Sequence, residues 1–329
     1  HSLLALQMSH NMSSLVKNVD RKTWEHIREC FPHFPPLMDV DCVRKEAAFR
    51  LKYIEDWAAR TFLEDKRDSI MVSLILNICL TTVPLYIYIF KYPSHVLGGL
   101  AFVFTFYMYL QRFVLMLHYS EHRKLFRNPY HSIGKYFLSG FLCMFFGIPP
   151  GMYRLHHVVM HHNENNISNE DLSSTEPYQR DNFLHFLIYV FRYFTHMLLL
   201  PLYAWRKGRY IMTAVSLVGS LSWLSAIAVG MQLKPIFTLW AAFIPMFVAG
   251  FALMFGNFSQ HIFVHPSVAT MPQNLNSYKF NCALTLQSIN HFDNQYAFND
   301  GYHVTHHINS RVHWTELAFY FLKNLQYVF

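Results

Sequence analysis

The chain has 329 residues, of which 53% are hydrophobic and only 14% are charged. Soluble domains carry about 25% charged residues, so this composition excludes an ordinary water-soluble exterior as well as a disordered, collagen-like or coiled-coil chain. The net charge of +7 suits anionic lipid headgroups. No dense stripe of Lys and Arg is present, which argues against nucleic acid as a partner.

The first segment, residues 1–70, is the most highly charged, with 11 Lys/Arg and 11 Asp/Glu. Apolar residues recur there at helical spacing, which predicts amphipathic helices on the water side or at the membrane interface. The remainder, residues 71–329, is predicted to form the membrane domain.

Four apolar stretches of the membrane domain are long enough to cross a bilayer core of about 30 Å. They form two pairs joined by short turns, namely residues 71–90 with 95–117 and residues 211–231 with 235–258. Residues 136–150 are too few to span and predict a re-entrant or interfacial helix. Residues 183–203 carry His185, Arg192 and His196 at helical spacing, which predicts a helix lying on the membrane surface.

Two membrane hairpins leave the amino end, the middle segment and the carboxyl end on one side. Residues 1–70 contain 11 Lys/Arg, residues 118–209 contain 10 and residues 259–329 contain 3, while each short turn contains one. The positive-inside rule therefore places the three large segments in the cytosol. We predict an all-α integral membrane protein with four transmembrane helices in two hairpins and a cytosolic helical cap.

The 21 histidines are clustered in these predicted cytosolic segments. Residues three or four apart share a helix face, so each cluster can aim its imidazoles at one point. A single zinc ion needs four ligands, and the number of candidates here is sufficient for two metal ions. Imidazole binds zinc, copper, iron and nickel alike, so ligand type alone leaves the metal open. The candidate ligands are His118, His122, His157, His161, His162, Asn257, His261, His303, His306 and His307, with His156 and His265 as further possibilities.

The order HxxxH, a second box ending in HH, NxxxH and then HxxHH resembles the integral-membrane fatty acid desaturase/hydroxylase superfamily over about residues 70–315. The resemblance implies two non-haem irons, O2 as co-substrate, two external electrons and oxidation of an unactivated C–H bond of an acyl chain. In overexpressed protein zinc can replace the iron. By this resemblance the matching residues are His118 and His122 in the first box, His161 and His162 in the second, and His303, His306 and His307 in the last.

Asn257 and His261 match an Asn-x-x-x-His element of stearoyl-CoA desaturases, in which the Asn reaches iron through water. The second box departs from the usual HxxHH pattern, because three residues separate His157 from His161. This spacing leaves the choice between His156 and His157 open. The haem-binding sequence His-Pro-Gly-Gly is absent, so the resemblance implies a separate electron donor, either a cytochrome b-type protein or a ferredoxin.

Carboxylates commonly orient metal-binding imidazoles through hydrogen bonds. Candidates by their position in the sequence are Glu121, Glu164, Asp171 and Asp300. Isolated histidines are more often structural or at the surface. We interpret His10, His26, His33, His95, His131, His185, His196 and His313 in this way, whereas His265 and His291 are closer to a site role.

The leading functional hypothesis, based on the HxxHH end and the NxxxH element, is an O2-dependent desaturase acting on an acyl-lipid or acyl-CoA. Removing hydrogen from a methylene requires a redox-active metal, and zinc has no redox chemistry. The alternative is a hydroxylase or oxygenase on the same di-iron scaffold, and a less favoured one is a zinc-histidine membrane receptor or lipid hydrolase. The resemblance places the protein in the endoplasmic reticulum, with both termini and the metal site on the cytosolic side. No motif indicates the position of the double bond, the chain length or the oligomeric state.

Overall fold

A computed structural model describes residue 29 and residues 50–325, apart from 168, 169, 275, 290, 292 and 295. Within this part of the chain the regular structure is helical, and the β-pairing consists of one isolated antiparallel bridge between Leu63 and Phe126. The prediction of an all-helical protein is therefore confirmed. Most of the predicted amphipathic segment falls on residues 1–49 and lies outside the described residues, except for residue 29.

Twelve helices follow one another along the described residues, and three of the long ones, α2, α7 and α9, contain short 3-10 or π-helical turns. They are α1 (Lys52–Thr61), α2 (Lys66–Lys91), α3 (His95–His122), α4 (His131–Tyr136), α5 (Met152–Arg154), α6 (His162–Glu164), α7 (Phe183–Arg206), α8 (Tyr210–Leu233), α9 (Pro235–His261), α10 (Tyr278–Cys282), α11 (His303–Ile308) and α12 (Leu317–Lys323).

The chain divides into two compact units. The larger one consists of residues 47–262 and holds helices α1 to α9. The smaller one includes Phe263–Phe329, whose described part holds α10 to α12. The predicted boundary near residue 70 stays a prediction.

Five helices of the larger unit, α2, α3, α7, α8 and α9, are long and apolar enough to cross a membrane. The count of four such helices is therefore not confirmed. The additional candidate is α7, because a 3-10 turn, Tyr193–Thr195, joins two helical pieces into one helix of 24 residues. Of the five helices, α7 is the least apolar.

The residues that flank α7 contact residues adjacent in sequence to two histidine clusters. Before the helix, the Arg180 Nε donates to the carbonyl oxygen of Ile262 at 2.7 Å. After it, the Lys207 Nζ lies 3.0 Å from the Glu164 Oε1. Since Ile262 directly follows His261 and Glu164 closely follows the second box, each end of α7 lies beside a histidine cluster.

Helix α7 also packs against the elements that carry those clusters. Leu200, Tyr203 and Ala204 lie in one buried apolar cluster with Leu155 and Val159 of the second-box segment. A second buried cluster joins α7 to α9 and consists of Tyr189, Val190, Met254 and Phe258. Helix α7 therefore supports two of the histidine-bearing segments.

Gly147 allows a close approach between two segments of the larger unit. It ends the 3-10 helix Leu142–Phe146 with a φ of 69°, in the left-handed region that glycine adopts without strain. A Cβ at this position would overlap the backbone of Pro245 and Met246 in α9. Glycine is therefore required here both by its backbone conformation and by the available space.

We expect Gly147→Ala to lower the stability of the folded protein by about 2 kcal/mol or more, because it combines an unfavourable φ with a backbone clash. Thermal unfolding in detergent micelles measures the effect as a lower midpoint. Gly140→Ala is the matched control, since its Cβ would meet no atom within 4 Å. Equal midpoints for the two variants would contradict this account of Gly147.

Candidate metal centre

The first box lies on the last turn of α3 and meets the second box. The ring centroids of His118 and His122 are 5.2 Å apart, and that of His157 is 4.2 Å from the first and 5.1 Å from the second. The His162 ring is 4.4 Å from that of His122. Nitrogen atoms of His118, His122 and His157 lie within 4.8 Å of one another, close enough to share one ion. The two boxes therefore converge, as their spacing predicts.

The second box is held on a π-helical segment, Leu155–His161. Hydrogen bonds in a π-helix join residues five apart, so the residues that share a face differ from those of an α-helix. The Nε2 atoms of His157 and His162, five residues apart, lie 3.2 Å from each other. The neighbouring His156 instead stacks its ring on that of His196, with centroids 5.1 Å apart. Of the two alternatives left open by the sequence, the structure places His157 beside the first box.

A second group of imidazoles contains His161 and His261. Their ring centroids are 4.9 Å apart, and nitrogen atoms of the two rings lie within 4.8 Å of each other. The side chain of His161 is 1% exposed and that of His261 is fully buried. His261 is the last residue of α9, so this group joins the second box to the NxxxH element.

The carboxylate of Asp171 orients His161. The His161 Nδ1 lies 3.2 Å from the Asp171 Oδ2, and the same oxygen accepts from the backbone N–H of Asn166 at 3.0 Å. The other oxygen accepts from the backbone N–H and the hydroxyl of Ser173, at 2.8 and 2.6 Å. Burial alone raises the pKa of this carboxyl, but the hydrogen bonds from His161 and Ser173 outweigh it and hold the pKa below its ordinary value. Asp171 is therefore ionised at neutral pH.

The loop around Asp171 is itself tied to α9. Asn165 and Asn166 adopt positive φ angles of 49° and 61°, a conformation that Asn tolerates better than most residues. The Asn166 Oδ1 accepts from the backbone N–H of Thr175 at 2.7 Å, and the Thr175 hydroxyl donates to the carbonyl oxygen of His261 at 2.6 Å. Hydrogen bonds thus connect the second box to the end of the NxxxH element.

The last box forms the short helix α11 of the smaller unit. The Nε2 atoms of His303 and His307 lie 3.1 Å apart, and all three rings, including that of His306, are buried. The Asp300 Oδ1 lies 3.9 Å from the His303 Nδ1. Asp300, a candidate carboxylate by its position in the sequence, is thus near the His303 ring, at a distance longer than a direct hydrogen bond.

Two other predicted carboxylates have different partners in the structure. The buried Glu121 Oε2 forms ion pairs with Arg154 and Lys135, at 3.2 and 3.3 Å. Glu164 accepts a hydrogen bond from the hydroxyl of Tyr203 at 2.6 Å, in addition to its ion pair with Lys207. These carboxylates anchor neighbouring segments of the larger unit.

Among the described residues, the structure keeps five further candidate or structural histidines out of the groups above. His265, a candidate ligand, is exposed and caps a 3-10 turn through its contacts with Ser267. His291 is exposed and lies 3.8 Å from the carboxylate of Asp293. Three histidines interpreted as structural accept hydrogen bonds from other partners through Nδ1, and these are His95, His185 and His313. Three more lie outside the described residues, and these are His10, His26 and His33.

Asn257 is fixed by two contacts on α7 and the Asp171 loop. Its Nδ2 donates to the hydroxyl of Tyr189 at 2.6 Å and to the carbonyl oxygen of Ser173 at 2.9 Å. These contacts orient the amide group, which lies one helical turn before His261.

The donor set fits metal binding. Both groups offer imidazole nitrogens, which suit transition metals. The ionised Asp171 accepts the Nδ1 proton of His161, so the lone pair of this ring is on Nε2, the tautomer that binds metals. Since the larger unit alone holds two distinct groups, one at His118 and one at His161, the residues fit two ions.

A comparison with protein families identifies the chain. The model of the family described as fatty acid desaturase matches residues 92–327, which is well over half of the sequence. The chain belongs to the fatty acid desaturase family. No curated protein and no solved structure gave a match. The resemblance expected from the histidine boxes is thus confirmed for this desaturase-family protein.

Sequence reasoning missed several residues of this desaturase-family site. Asn166, Ser173 and Thr175 hold Asp171 and the end of α9, and Tyr189 holds Asn257. For Asn166, Ser173 and Thr175 the one signal in the sequence is the run of Asn, Asp, Ser and Thr that follows the second box, since such residues favour loops with side-chain to backbone hydrogen bonds. Tyr189 has no such signal.

We expect Asp171→Asn to weaken metal binding by about 10- to 100-fold, because the variant loses the charge that fixes the His161 tautomer. The measurement is the metal content of the purified protein after dialysis against a competing chelator. Glu170→Gln is the matched control, since the neighbouring Glu170 is half exposed and pairs with Lys207. Unchanged metal retention in Asp171→Asn would show that this carboxylate does not orient a ligand.

Proposed function

We propose that the protein is an O2-dependent fatty acyl desaturase with a histidine-ligated di-iron centre. The observation that carries the proposal is the pair of imidazole groups in a chain of the fatty acid desaturase family. The proposed ligands are the ten predicted residues, which are His118, His122, His157, His161, His162, Asn257, His261, His303, His306 and His307.

The reaction requires a redox-active metal, because removing hydrogen from a methylene is an oxidation and zinc has no redox chemistry. When bound, iron supplies this oxidising chemistry with O2 and two electrons. The residues of the chain hold and orient the donors. Asp171 keeps a proton on the Nδ1 of His161, and the Tyr189 and Ser173 contacts of Asn257 fix the amide that, by the family resemblance, faces the metal through water.

The same contacts support a topology in which four helices cross the membrane and α7 lies along its surface. Helices α3 and α9 both end in residues of the imidazole groups, so these ends lie on one membrane face. Both ends of α7 also lie beside those groups, which a helix crossing the bilayer could not achieve. The excess of Lys and Arg in residues 1–70 and 118–209 assigns this face to the cytosol.

We propose the endoplasmic reticulum as the location and an acyl-lipid or acyl-CoA as the substrate. We further propose that the electrons come from a separate protein, either a cytochrome b-type protein or a ferredoxin, as the family resemblance implies. These three assignments extend the family resemblance to this chain.

The proposal is tested by expressing the protein in a host of defined fatty-acid profile and analysing the lipids by mass spectrometry. We expect a new product two mass units lighter than its precursor. A product with one added oxygen and no new double bond would identify a hydroxylase instead. One zinc per chain in active protein produced with ample iron would favour the zinc hydrolase.

In the same host, we expect His161→Ala and His306→Ala to abolish the new product, because each removes a proposed ligand. Membrane insertion, followed by fractionation and fluorescence-detected chromatography, should be unaffected. The control is His131→Ala, a half-buried histidine outside the imidazole groups. Loss of product in His131→Ala would contradict the assignment of His131 as a residue that does not bind the metal.

A further inference from the structure

A small cavity lies beside the second box, within the larger unit. Its volume is about 30 Å³, enough for about two water-sized groups. The walls are largely apolar, with two imidazoles among them, and the lining includes Ile148, Met152, His156, His196, Met197 and Leu200. Tyr153 also lines the cavity and packs its ring against that of His157, with centroids 5.7 Å apart. The cavity is therefore separated from the first imidazole group by one aromatic ring.

His196 presents a hydrogen-bond acceptor. Its Nε2 lies 3.1 Å from the carbonyl oxygen of Leu172, and because a carbonyl can only accept, the proton of the neutral ring is on Nε2. The Nδ1 then carries a lone pair. This atom is buried and has no hydrogen-bond partner among the described residues, and the side chain as a whole is only 2% exposed.

His156 is the second imidazole of the cavity, whose lining also includes the rings of Tyr153 and Tyr193. The π-helical turn directs it away from His157 and onto the ring of His196, with an angle of 29° between the two planes. Its Nε2 is also buried and without a partner among the described residues. Leaving two buried polar atoms without partners is costly, so the cavity is suited to a ligand that satisfies both.

The chemistry of the two rings selects the ligand. The acceptor at His196 needs an O–H or N–H donor, whereas a neutral His156 can donate through its Nε2. A hydroxyl group both donates and accepts, so it has the chemistry that both rings require. An ester or thioester carbonyl has no proton for His196, and a plain methylene satisfies neither ring. The apolar walls suit the hydrocarbon that carries such a hydroxyl.

We propose that the cavity binds a hydroxyl group on the hydrocarbon chain of the lipid substrate, which donates to the Nδ1 of His196 and accepts from the Nε2 of His156. The inference rests on the proposed function, since it names the class of chain that the enzyme oxidises. It assigns to His156 and His196 the role of specificity-determining residues outside the metal ligand set.

The test compares stearic acid with a panel of monohydroxystearic acids that differ in the position of the hydroxyl. Binding to the purified full-length protein is measured by displacement of a fluorescent fatty acid. We expect at least one positional isomer to bind about tenfold more tightly than stearic acid, the effect of satisfying a buried polar group. His156→Phe and His196→Phe should each remove this preference.

The variants are chosen so that a folding defect is not mistaken for the loss of the binding site. His156→Phe leaves the hydrogen bond between His196 and Leu172 in place, so it reports on the cavity even where His196→Phe fails to fold. His185→Phe is the matched control, because it changes a histidine of α7 outside the cavity and should keep the preference. Metal content and elution volume verify that each variant is folded.

The result that overturns the inference is equal binding of stearic acid and all its hydroxy isomers, which would mean that the cavity holds only water. A preference that persists in both Phe variants overturns it equally. Turnover of the same panel separates the inference from the proposed function. Equal binding together with desaturation refutes the hydroxyl site alone, whereas selective binding without oxidation of any chain refutes the proposed function alone.

Discussion

The buried carboxylate of Asp171 is the group on which the arrangement of histidines in the larger unit depends. A carboxylate without exposure to water is stable only where donors surround it, and here Asn166, Ser173 and His161 provide them. The same contacts that stabilise the charge determine the tautomer of His161 and the path of the loop. Because Thr175 of that loop is bonded to the end of α9, stabilising one charge also fixes the separation between two histidine-bearing segments.

Packing against helix α7 stabilises this arrangement. Apolar side chains along its length contact the π-helical segment, and others contact α9. The two ends of a helix that crosses the bilayer lie on opposite membrane faces. In contrast, the residues that flank α7 contact histidine-bearing segments at both of its ends. Its apolar composition, which satisfies the length and hydropathy expected of a span, is therefore also explained by packing against these segments.

Contacts between residues that are close in the sequence could be predicted, whereas those that depend on tertiary packing could not. The convergence of His118 and His122 follows from α-helical spacing, and Asp171 could be found because a carboxylate close to a box is a plausible partner. The partners of Glu121 could not be found, since Arg154 and Lys135 meet it through tertiary packing. The choice between His156 and His157 depends on the π-helical register of this segment, which could not be predicted from the residue types. The polar residues at helical spacing in α7 predict a surface helix over residues 183–203, and the structure extends this helix to Arg206.

The π-helical turn has a further consequence for how such proteins can diversify. A single additional residue in a box would, in an α-helix, rotate every later imidazole by about 100° and dismantle the coordination sphere. The wider turn absorbs the additional residue, so His157 and His162 still meet while His156 is turned outward onto α7. Insertion of one amino acid can thus add a new polar contact next to the imidazole groups without separating His157 from His162.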